Sequence, residues 1–438
     1  MSETLYFDLN KEGNTFKLLN ATNGGPWHQR HRKEQLRTNF PEYKAARIPY
    51  SRNHDSNTFV VYGGPYAHDI TRIFPNFDAD PYDPESYDFP CTDESILSCL
   101  EAGTKTFFRL GQTIEHQIKK HGTLPPKDFK KWAIICEHII KHYNEGWANG
   151  FSLDIEYWEI WNEPDHQPDD SPNKSTWGGT KAQFFDFYEV AAKHLKSRFP
   201  SLKIGGPSYS LYPNWLEDFL NEMRERGVEM DFISWHCYPS DPKEFTEINK
   251  EIARVIEKCG YESAERILNE WNYVKNWTDK YQYSINCIHG LKGASFILGC
   301  ICEAQRSGLV DMLMYYDTRP SVFNGAFDYY TCRPLKGYYP LYWYGMFYDM
   351  SKEIPSDNRI SDIYSICGVN EDGKILAALT YYNDNDDAEP KSIKLDFGKG
   401  GNYEVYLLDN DHDGELVNTT DKLEFEMTVH SALLIKEI

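Results

Sequence analysis

The strongest constraint on the fold is an alternation along residues 18 to 345. Short apolar runs alternate there with longer segments that repeat apolar residues every three or four positions. Such runs predict buried strands, and the wider spacing predicts amphipathic helices. The strand candidates are 16–19, 45–49, 106–110, 157–161, 203–206, 231–235, 266–269 and 311–315. Eight strands with helices between them predict an α/β fold, a (β/α)8 TIM barrel.

A second type of pattern begins near residue 355, where short alternating runs are separated by turn residues. This pattern predicts a C-terminal antiparallel β-sandwich domain. The opening run 5–9 is expected to add a strand to it. We therefore expect an N-terminal strand in 1–15 that joins the sandwich, a catalytic barrel over 16–350, and the sandwich over 351–438.

The segment 409–414 of the predicted sandwich resembles the start of a calcium-binding loop. Position twelve of such a loop is a glutamate, whereas Thr420 stands there in this chain. The flanking residues have strand patterns, so we interpret the segment as a hairpin turn. No metal ion and no cofactor are expected.

Two glutamates close short aromatic runs: Glu163 follows predicted strand four, and Glu270 follows predicted strand seven. Their separation is 270 − 163 = 107 residues, or three βα units of roughly 36 residues each. Both carboxyl groups are therefore expected at the C-terminal mouth of the barrel, where active sites lie. Aromatic surroundings exclude water and shift carboxyl pKa values, so the pair predicts a glycosidase with one acid and one nucleophile.

The sequences around these glutamates, WNEP at 161–164 and NEW at 269–271, resemble the two signatures of the clan A glycoside hydrolases. The chain is most similar to glycoside hydrolase family 39, the β-xylosidase and α-L-iduronidase family. The segment EIWNEPD at 159–165 and the stretch 408–412, similar to a sandwich hairpin of the family, carry this assignment.

The resemblance implies a role for each matching position. Glu163 is expected to be the acid/base and Glu270 the nucleophile of a retaining mechanism. The other implied roles are a hydrogen bond from Asn162 to the sugar 2-hydroxyl, orientation of Glu270 by Tyr238, a place near the acid/base for His236, and an arginine, Arg47 at the end of strand two, that keeps the nucleophile ionised.

Further residues are candidates for lining the sugar subsite, each with an alternative as an ordinary packed loop residue: Asn23, Trp27, Arg52, His54, Trp271 and Tyr316. The loop 49–55 and the segment 109–116 depart from the usual β-xylosidase pattern. Because these loops build the sugar pocket, the departure leaves xylose specificity open, although the chemistry follows from the glutamates.

The overall composition limits the classes of partner and the compartment that we expect for this protein. A net charge of −21 without a long basic run argues against nucleic acid and anionic membranes. No apolar stretch is long enough to span a bilayer, and the N-terminus shows no signal-peptide pattern. Ten scattered cysteines show neither disulfide nor metal spacing. We therefore expect a cytoplasmic protein, with a removed leader as the alternative.

The sequence thus predicts a retaining exo-glycosidase acting on an oligosaccharide or glycoside, foremost a β-xyloside of plant hemicellulose. An arabinopyranosidase, a galactosidase, a transglycosidase and a non-catalytic carbohydrate-binding protein stay open. The long aromatic loops after strands two and eight motivate the expectation of exo action. The resemblance also leaves a homo-oligomer open.

Overall fold

The computed structural model describes residues 2–30, 36–55, 66–319 and 321–438. Its strands, in chain order, are β1 Glu3–Tyr6, β2 Leu18–Asn23, β3 His28–Arg30, β4 Leu36–Thr38, β5 Tyr50–Arg52, β6 Lys105–Leu110, β7 Tyr157–Ile160, β8 Lys203–Tyr209, β9 Phe232–Cys237, β10 Glu265–Trp271, β11 Met312–Tyr315, β12 Lys352–Glu353, β13 Ile363–Val369, β14 Ile375–Tyr381, β15 Lys391–Asp396, β16 Tyr403–Leu408, β17 Asp413–Thr420, β18 Glu424–Met427 and β19 Ala432–Glu437.

The α-helices are α1 Phe40–Ala45, α2 Ile70–Ile73, α3 Pro90–Glu101, α4 Phe129–Glu145, α5 Lys181–Arg198, α6 Trp215–Glu225, α7 Pro242–Lys258, α8 Tyr281–Ile288, α9 Leu291–Ser307 and α10 Tyr338–Met346. Local signals explain several ends. The Asp128 side chain accepts a hydrogen bond from Lys131 N at the start of α4, and Gly146 ends that helix with a φ of 73°. A capping box between Thr180 and Gln183 starts α5.

Eight parallel strands close into a barrel in the order β2-β5-β6-β7-β8-β9-β10-β11, with β11 pairing back to β2. The helices between them cover the barrel. The predicted (β/α)8 architecture is confirmed. The apolar cluster inside the barrel includes Tyr50, Phe107, Tyr157, Phe232 and Ile267, one residue from each of five strands. Because strand side chains alternate, the residues two positions further on also face inward, one layer closer to the mouth.

The predicted second strand is wrong. The run 45–49 covers the end of α1 and a turn in which Arg47 has a φ of 52°. The strand that completes the barrel is Tyr50–Arg52, paired with β2 and β6. It is only three residues long, and its inward-facing end is a charged side chain. A search for an apolar run therefore selects the neighbouring segment instead.

The C-terminal residues form two sheets that pack as a β-sandwich. One sheet has the order β1-β15-β18, and the other has the order β12-β13-β14-β19-β16-β17. The N-terminal strand β1 pairs in parallel with β15, with Glu3 opposite Ile393. Segment 409–412 joins β16 to β17 as an antiparallel hairpin. The sandwich core is separate from the barrel core and contains Leu5, Ile393 and Ile435.

In the described ranges, no single helix is long and apolar enough to cross a bilayer. Only α8 and α9 taken together, which are bent by 77° where they meet, reach that length and apolar composition.

Candidate active site

Glu163 lies just beyond the end of β7, where the backbone leaves the strand conformation. Trp161 and Glu163 both have a positive φ, of 73° and 46°. L-residues seldom adopt this region, and such backbone is found at functional sites. The turn is held by hydrogen bonds from Glu163 N to Ser208 O at 3.0 Å and from Thr176 Oγ1 to Glu163 O at 2.5 Å. The carboxyl group therefore has a well-defined position over the mouth.

Glu270 is placed by an irregularity in β10. Leu268 pairs with Trp235 of β9 and Glu270 with His236, so Asn269 is an extra residue in the ladder. A bulge of this kind redirects side chains. Asn269 reaches into the barrel by ordinary alternation from Ile267, and its Nδ2 contacts Glu159 Oε1 at 2.5 Å. The bulge turns Glu270 toward the site as well.

Glu163, His236 and Glu270 meet at the centre of the mouth. Oxygen atoms of the two carboxyl groups and a ring nitrogen of His236 all lie within 4.8 Å of one another. His236 Nδ1 is 2.7 Å from Glu163 Oε1 and 3.4 Å from Glu270 Oε2. Tyr238 OH donates a hydrogen bond of 2.8 Å to Glu270 Oε2. All three central residues are buried.

Arg52 connects this centre to the barrel interior. Its guanidinium donates to Glu270 Oε1 at 2.8 Å, to Glu159 Oε2 at 2.7 Å and to Asn162 Oδ1 at 2.7 Å. Further bonds reach Asn23 Oδ1 and Ser208 Oγ. The planar fork of an arginine suits several acceptors at once. Arg52 is completely buried, so these bonds supply its counter-charges.

Burial sets the electrostatics of the pair. It raises the pKa of Glu163, which accepts no hydrogen bond from Arg52. Burial also raises the pKa of Glu270, but the charge of Arg52 and the hydrogen bond from Tyr238 oppose that rise. The pKa of His236 falls to about 4 because its ring is buried, so this histidine is neutral near pH 7. The arrangement favours a proton on Glu163 and a negative charge on Glu270.

The structure brings most of the predicted site residues together and leaves Arg47, Trp271 and Trp27 outside the central network. Asn162 binds Arg52, and His54 Nε2 lies 3.8 Å from Glu270 Oε1. Tyr316 faces the Tyr238 ring, with 6.3 Å between the two centroids. Among the further candidates, Asn23 and Arg52 belong to the network described above. Trp27 is buried, and its backbone N–H donates to Asn39.

Arg47 and Trp271 do not belong to this group. Arg47 lies before β5, is paired with Asp349 at 2.7 Å and is 43% exposed, so its assignment as the site arginine is corrected to Arg52. Trp271 points away from the mouth into the core between barrel and helices, where it contacts Phe245 and Phe296. Beyond the bulge the alternation of side chains resumes, so a tryptophan directly after Glu270 faces away from the mouth.

Several buried polar atoms at the mouth lack a hydrogen-bond partner among the described residues. They include Asn162 Nδ2, both ring nitrogens of His54 and Asp55 Oδ1. Buried polar groups in native proteins are normally paired, so such a cluster indicates a polar ligand. Burial lowers the pKa of His54 well below its ordinary value, which leaves a neutral ring able to donate and to accept.

Glu159, Ser208 and Ser234 belong to the site network although the sequence analysis did not select them. Glu159 accepts from Ser234 Oγ at 2.6 Å as well as from Arg52 and Asn269. A signal was present for Glu159, because it stands two residues after Tyr157 and therefore faces the barrel interior. No comparable signal marked the serines.

The central group could also hold a cation. Glu163, His236 and Glu270 form a set of ligand atoms close enough for a metal ion in the part of the chain that the structure describes. Arg52 and Tyr238 already occupy both oxygens of Glu270, however. This favours acid–base and nucleophilic chemistry.

Part of the chain is similar in sequence to known glycosidases. The family model for glycosyl hydrolases family 39 matches residues 53–289, which include both glutamates. A β-xylosidase of Caldicellulosiruptor saccharolyticus is 30% identical over 194 residues, covering 42% of this chain and 37% of its own length. A β-xylosidase of Geobacillus stearothermophilus is 30% identical over 168 residues, covering 35% and 31%. The match thus spans about a third of these relatives.

Solved structures match over the whole chain. A glucosidase of Croceicoccus marinus has a TM-score of 0.77 at 21% identity, with 100% of this chain and 99% of that chain covered. A monomeric β-xylosidase of Caulobacter crescentus has a TM-score of 0.69 at 15% identity, with 99% of each covered. At these identities the likeness shows the fold. Since the family model covers more than half of the chain, the protein belongs to glycosyl hydrolases family 39, the family that the sequence resemblance predicted.

Proposed function

We propose that this protein is a retaining exo-glycosidase that releases terminal sugar residues by double displacement. The observation that carries the proposal is the approach of Glu163 and Glu270 oxygens to within 4.8 Å across the barrel mouth. Retaining enzymes hold their carboxyl groups roughly 5–5.5 Å apart, whereas inverting enzymes need roughly 6.5–9.5 Å for a water molecule.

Each carboxyl group has surroundings that suit one role. Glu163 has a raised pKa and donates its proton to the glycosidic oxygen as the bond to C1 breaks. Glu270, held by Arg52 and Tyr238, attacks C1 and forms a glycosyl ester. Glu163 then takes a proton from water, which attacks C1 and releases the sugar with its original anomeric configuration.

Exo action is supported by a contact that narrows the mouth. Arg319, in the segment after β11, hydrogen-bonds the Asp55 backbone carbonyl after β5. It also pairs with Asp317 at 2.9 Å. The two segments meet beside the catalytic centre, which favours a pocket over an open cleft. Mid-chain cleavage of a polymer would contradict this part of the proposal.

The sugar is proposed to be β-xylose, because two β-xylosidases are 30% identical to this chain over 194 and 168 residues. A glycoside or oligosaccharide is accordingly the expected substrate. Arabinopyranosides and galactosides are the alternatives, since the loops that differ from the family pattern line the pocket. No further partner is proposed.

The test is a panel of nitrophenyl glycosides of β-xylose, arabinose in both ring forms, galactose, glucose and fucose. The variant Glu270→Gln is compared with Glu265→Gln, which changes the same residue type at the opposite end of β10. We expect Glu270→Gln to lose about 10⁴-fold or more in kcat and Glu265→Gln to keep its activity.

The stereochemistry gives an independent outcome. Proton NMR of the first product formed should show the anomer of the substrate. Inversion, or full activity in Glu270→Gln, would overturn the assigned mechanism. Hydrolysis of another sugar in place of xylose would change only the specificity. Absence of turnover together with measurable sugar binding would favour a carbohydrate-binding protein.

A further inference from the structure

A group of aromatic rings lies on the side of the mouth formed by the segments after β10 and β11. We call the rings of Trp277, Tyr281 and Phe323 the aromatic wall. Trp277 lies 6.0 Å from each of the other two, between ring centroids, and is nearly parallel to Tyr281. The wall continues to the catalytic centre, because Trp277 also contacts Tyr238 at 5.3 Å. Tyr238 in turn donates to Glu270.

Trp277 is unusually exposed for a ring in such a cluster. Its relative exposure is 57%, whereas the other tryptophans near the site, Trp161 and Trp271, are almost completely buried. Large exposed aromatic surfaces next to a catalytic centre mark contact sites. The position was not among the residues selected from the sequence, because a single tryptophan in a polar loop has no periodic pattern.

The sandwich holds this loop from behind. Asp384 accepts a hydrogen bond from Tyr273 OH at 2.9 Å and pairs with Lys275 and Lys292. Asp386 accepts from Tyr283 OH at 2.6 Å. These contacts lie on both sides of Trp277 along the chain. A loop fixed at both ends presents its ring in one orientation, which lowers the entropy cost of binding.

The opposite part of the mouth is polar. His54 and Asp55, whose buried polar atoms have no hydrogen-bond partner among the described residues, follow β5, and β5 is three strands away from β10 round the barrel. Hydroxyl groups of the sugar that is cleaved off suit this polar side. The leaving group takes part in bond cleavage only through the glycosidic oxygen. The rest of it needs no hydrogen bonds, and a leaving group that is a ring can stack on the aromatic wall.

We infer that the aromatic wall is a leaving-group subsite, in which Trp277 stacks on the ring of the next sugar or of an aryl aglycone. The inference rests on the proposed glycosidase function and adds the class of substrate to it: a glycoside whose leaving group is itself a ring. The structural basis is the exposed indole at 5.3 Å from Tyr238, the residue that positions the nucleophile.

The test compares substrates with and without a ring as the leaving group. Xylobiose and nitrophenyl β-xyloside have one, whereas β-xylosyl fluoride presents the same sugar with only a fluoride ion. If the panel selects another sugar, the corresponding compounds of that sugar are used. Trp277→Ala should lower kcat/KM about tenfold for the ring-bearing substrates and leave the value for the fluoride unchanged.

Two controls accompany the variant. Trp277→Phe keeps a ring and should recover most of the loss. Tyr82→Ala removes a ring of similar exposure, 61%, that contacts His138 away from the site, and it should change neither substrate class. Melting temperatures report folding.

Three results would overturn the inference. An equal loss with the fluoride would place Trp277 against the cleaved sugar instead. An unchanged kcat/KM for all substrates would remove its role in binding. A change in oligomeric state with unchanged kinetics would identify the wall as a contact between subunits.

Failure of the proposed function gives a different pattern. If the wild type hydrolyses no glycoside, xylobiose binding is measured by calorimetry in the Glu270→Gln background, with and without Trp277→Ala. Weaker binding on loss of Trp277 would support the subsite independently of turnover, and equal affinity would overturn it.

Discussion

Two neighbouring layers inside the barrel have opposite character. The layer of Tyr50, Phe107, Tyr157, Phe232 and Ile267 is apolar and packed. Two positions further along β5, β7, β9 and β10, the layer nearer the mouth contains Arg52, Glu159, Ser234 and Asn269, and hydrogen bonds join these residues to one another and to Asn23 of β2. The two layers are formed by strands of the same closed barrel. One set of strands therefore supplies stability in one layer and prepositioned charge in the next.

The largest expected effect comes from breaking the polar layer at Arg52. Arg52→Met leaves Glu159 and Glu270 buried without their cation, which should cost about 3–5 kcal/mol of unfolding free energy. It should also lower kcat/KM by roughly 10²–10³. Denaturant unfolding and kinetics measure both. Arg52→Lys keeps the positive charge but lacks the guanidinium fork, so its stability and kcat/KM should lie between those of the wild type and Arg52→Met. Wild-type stability in Arg52→Met would contradict the proposal that Arg52 stabilises the buried carboxyl groups of Glu159 and Glu270.

The apolar layer is tested by Phe232→Ala. This change removes a fully buried ring beside Phe107 and Tyr157 and should cost about 3–5 kcal/mol of stability. Well below the melting temperature, kcat/KM should stay at the wild-type value, because Glu163 and Glu270 lie at the mouth, beyond the apolar layer. A loss of kcat in the folded variant would show that the two layers are mechanically coupled.

A smaller effect of opposite sign is expected at Glu163. Burial raises the pKa of this carboxyl group above its ordinary value of 4.5. Its contribution to stability is therefore present below that value and is lost as the pH rises through the raised pKa. Glutamine does not ionise, so Glu163→Gln should be more stable than the wild type at about pH 8, by about 0.5–2 kcal/mol.

The pH dependence is the control for this prediction. Melting temperatures of Glu163→Gln and wild type should converge as the pH falls to the ordinary carboxyl value of 4.5. A stability difference that is the same at all pH values would point to a packing change and not to ionisation.

The smallest effect is expected at Arg47, which lies outside both layers. Its ion pair with Asp349 is exposed, at 43% and 69% for the two side chains. Exposed pairs contribute about 0–1 kcal/mol. Arg47→Ala should therefore change stability within that range and leave kcat/KM unaltered. A large loss of activity would restore Arg47 to the site and contradict the assignment of Arg52.

The part of the site that depends on local sequence patterns could be predicted from the sequence. Glu163 and Glu270 close aromatic strands, and their spacing by three units predicts a common mouth. The error at strand two has a physical cause. A three-residue strand that ends in Arg52 has too few apolar positions to show a period, whereas 45–49 is apolar for reasons of helix and turn packing.

The aromatic residues show a second limit of sequence analysis. Trp271 and Trp277 both follow Glu270 closely in the chain, yet Trp271 is buried against helices and Trp277 is exposed at the mouth. Their direction depends on the bulge at Asn269 and on the contacts of the loop with Asp384. Neither the bulge nor these long-range contacts can be recognised from a pattern in the neighbouring sequence.

By itself, the sequence determined the βα alternation, the barrel followed by a sandwich, and the two glutamates of a glycosidase, because these depend on periodicity and short-range spacing. Only the tertiary structure decided that Arg52 donates to Glu270, that Glu159 accepts from Arg52 in the layer below, and that Trp277 faces the mouth. These assignments depend on closure of the barrel. Closure brings Arg52 within 2.8 Å of Glu270, a residue 218 positions away in the chain.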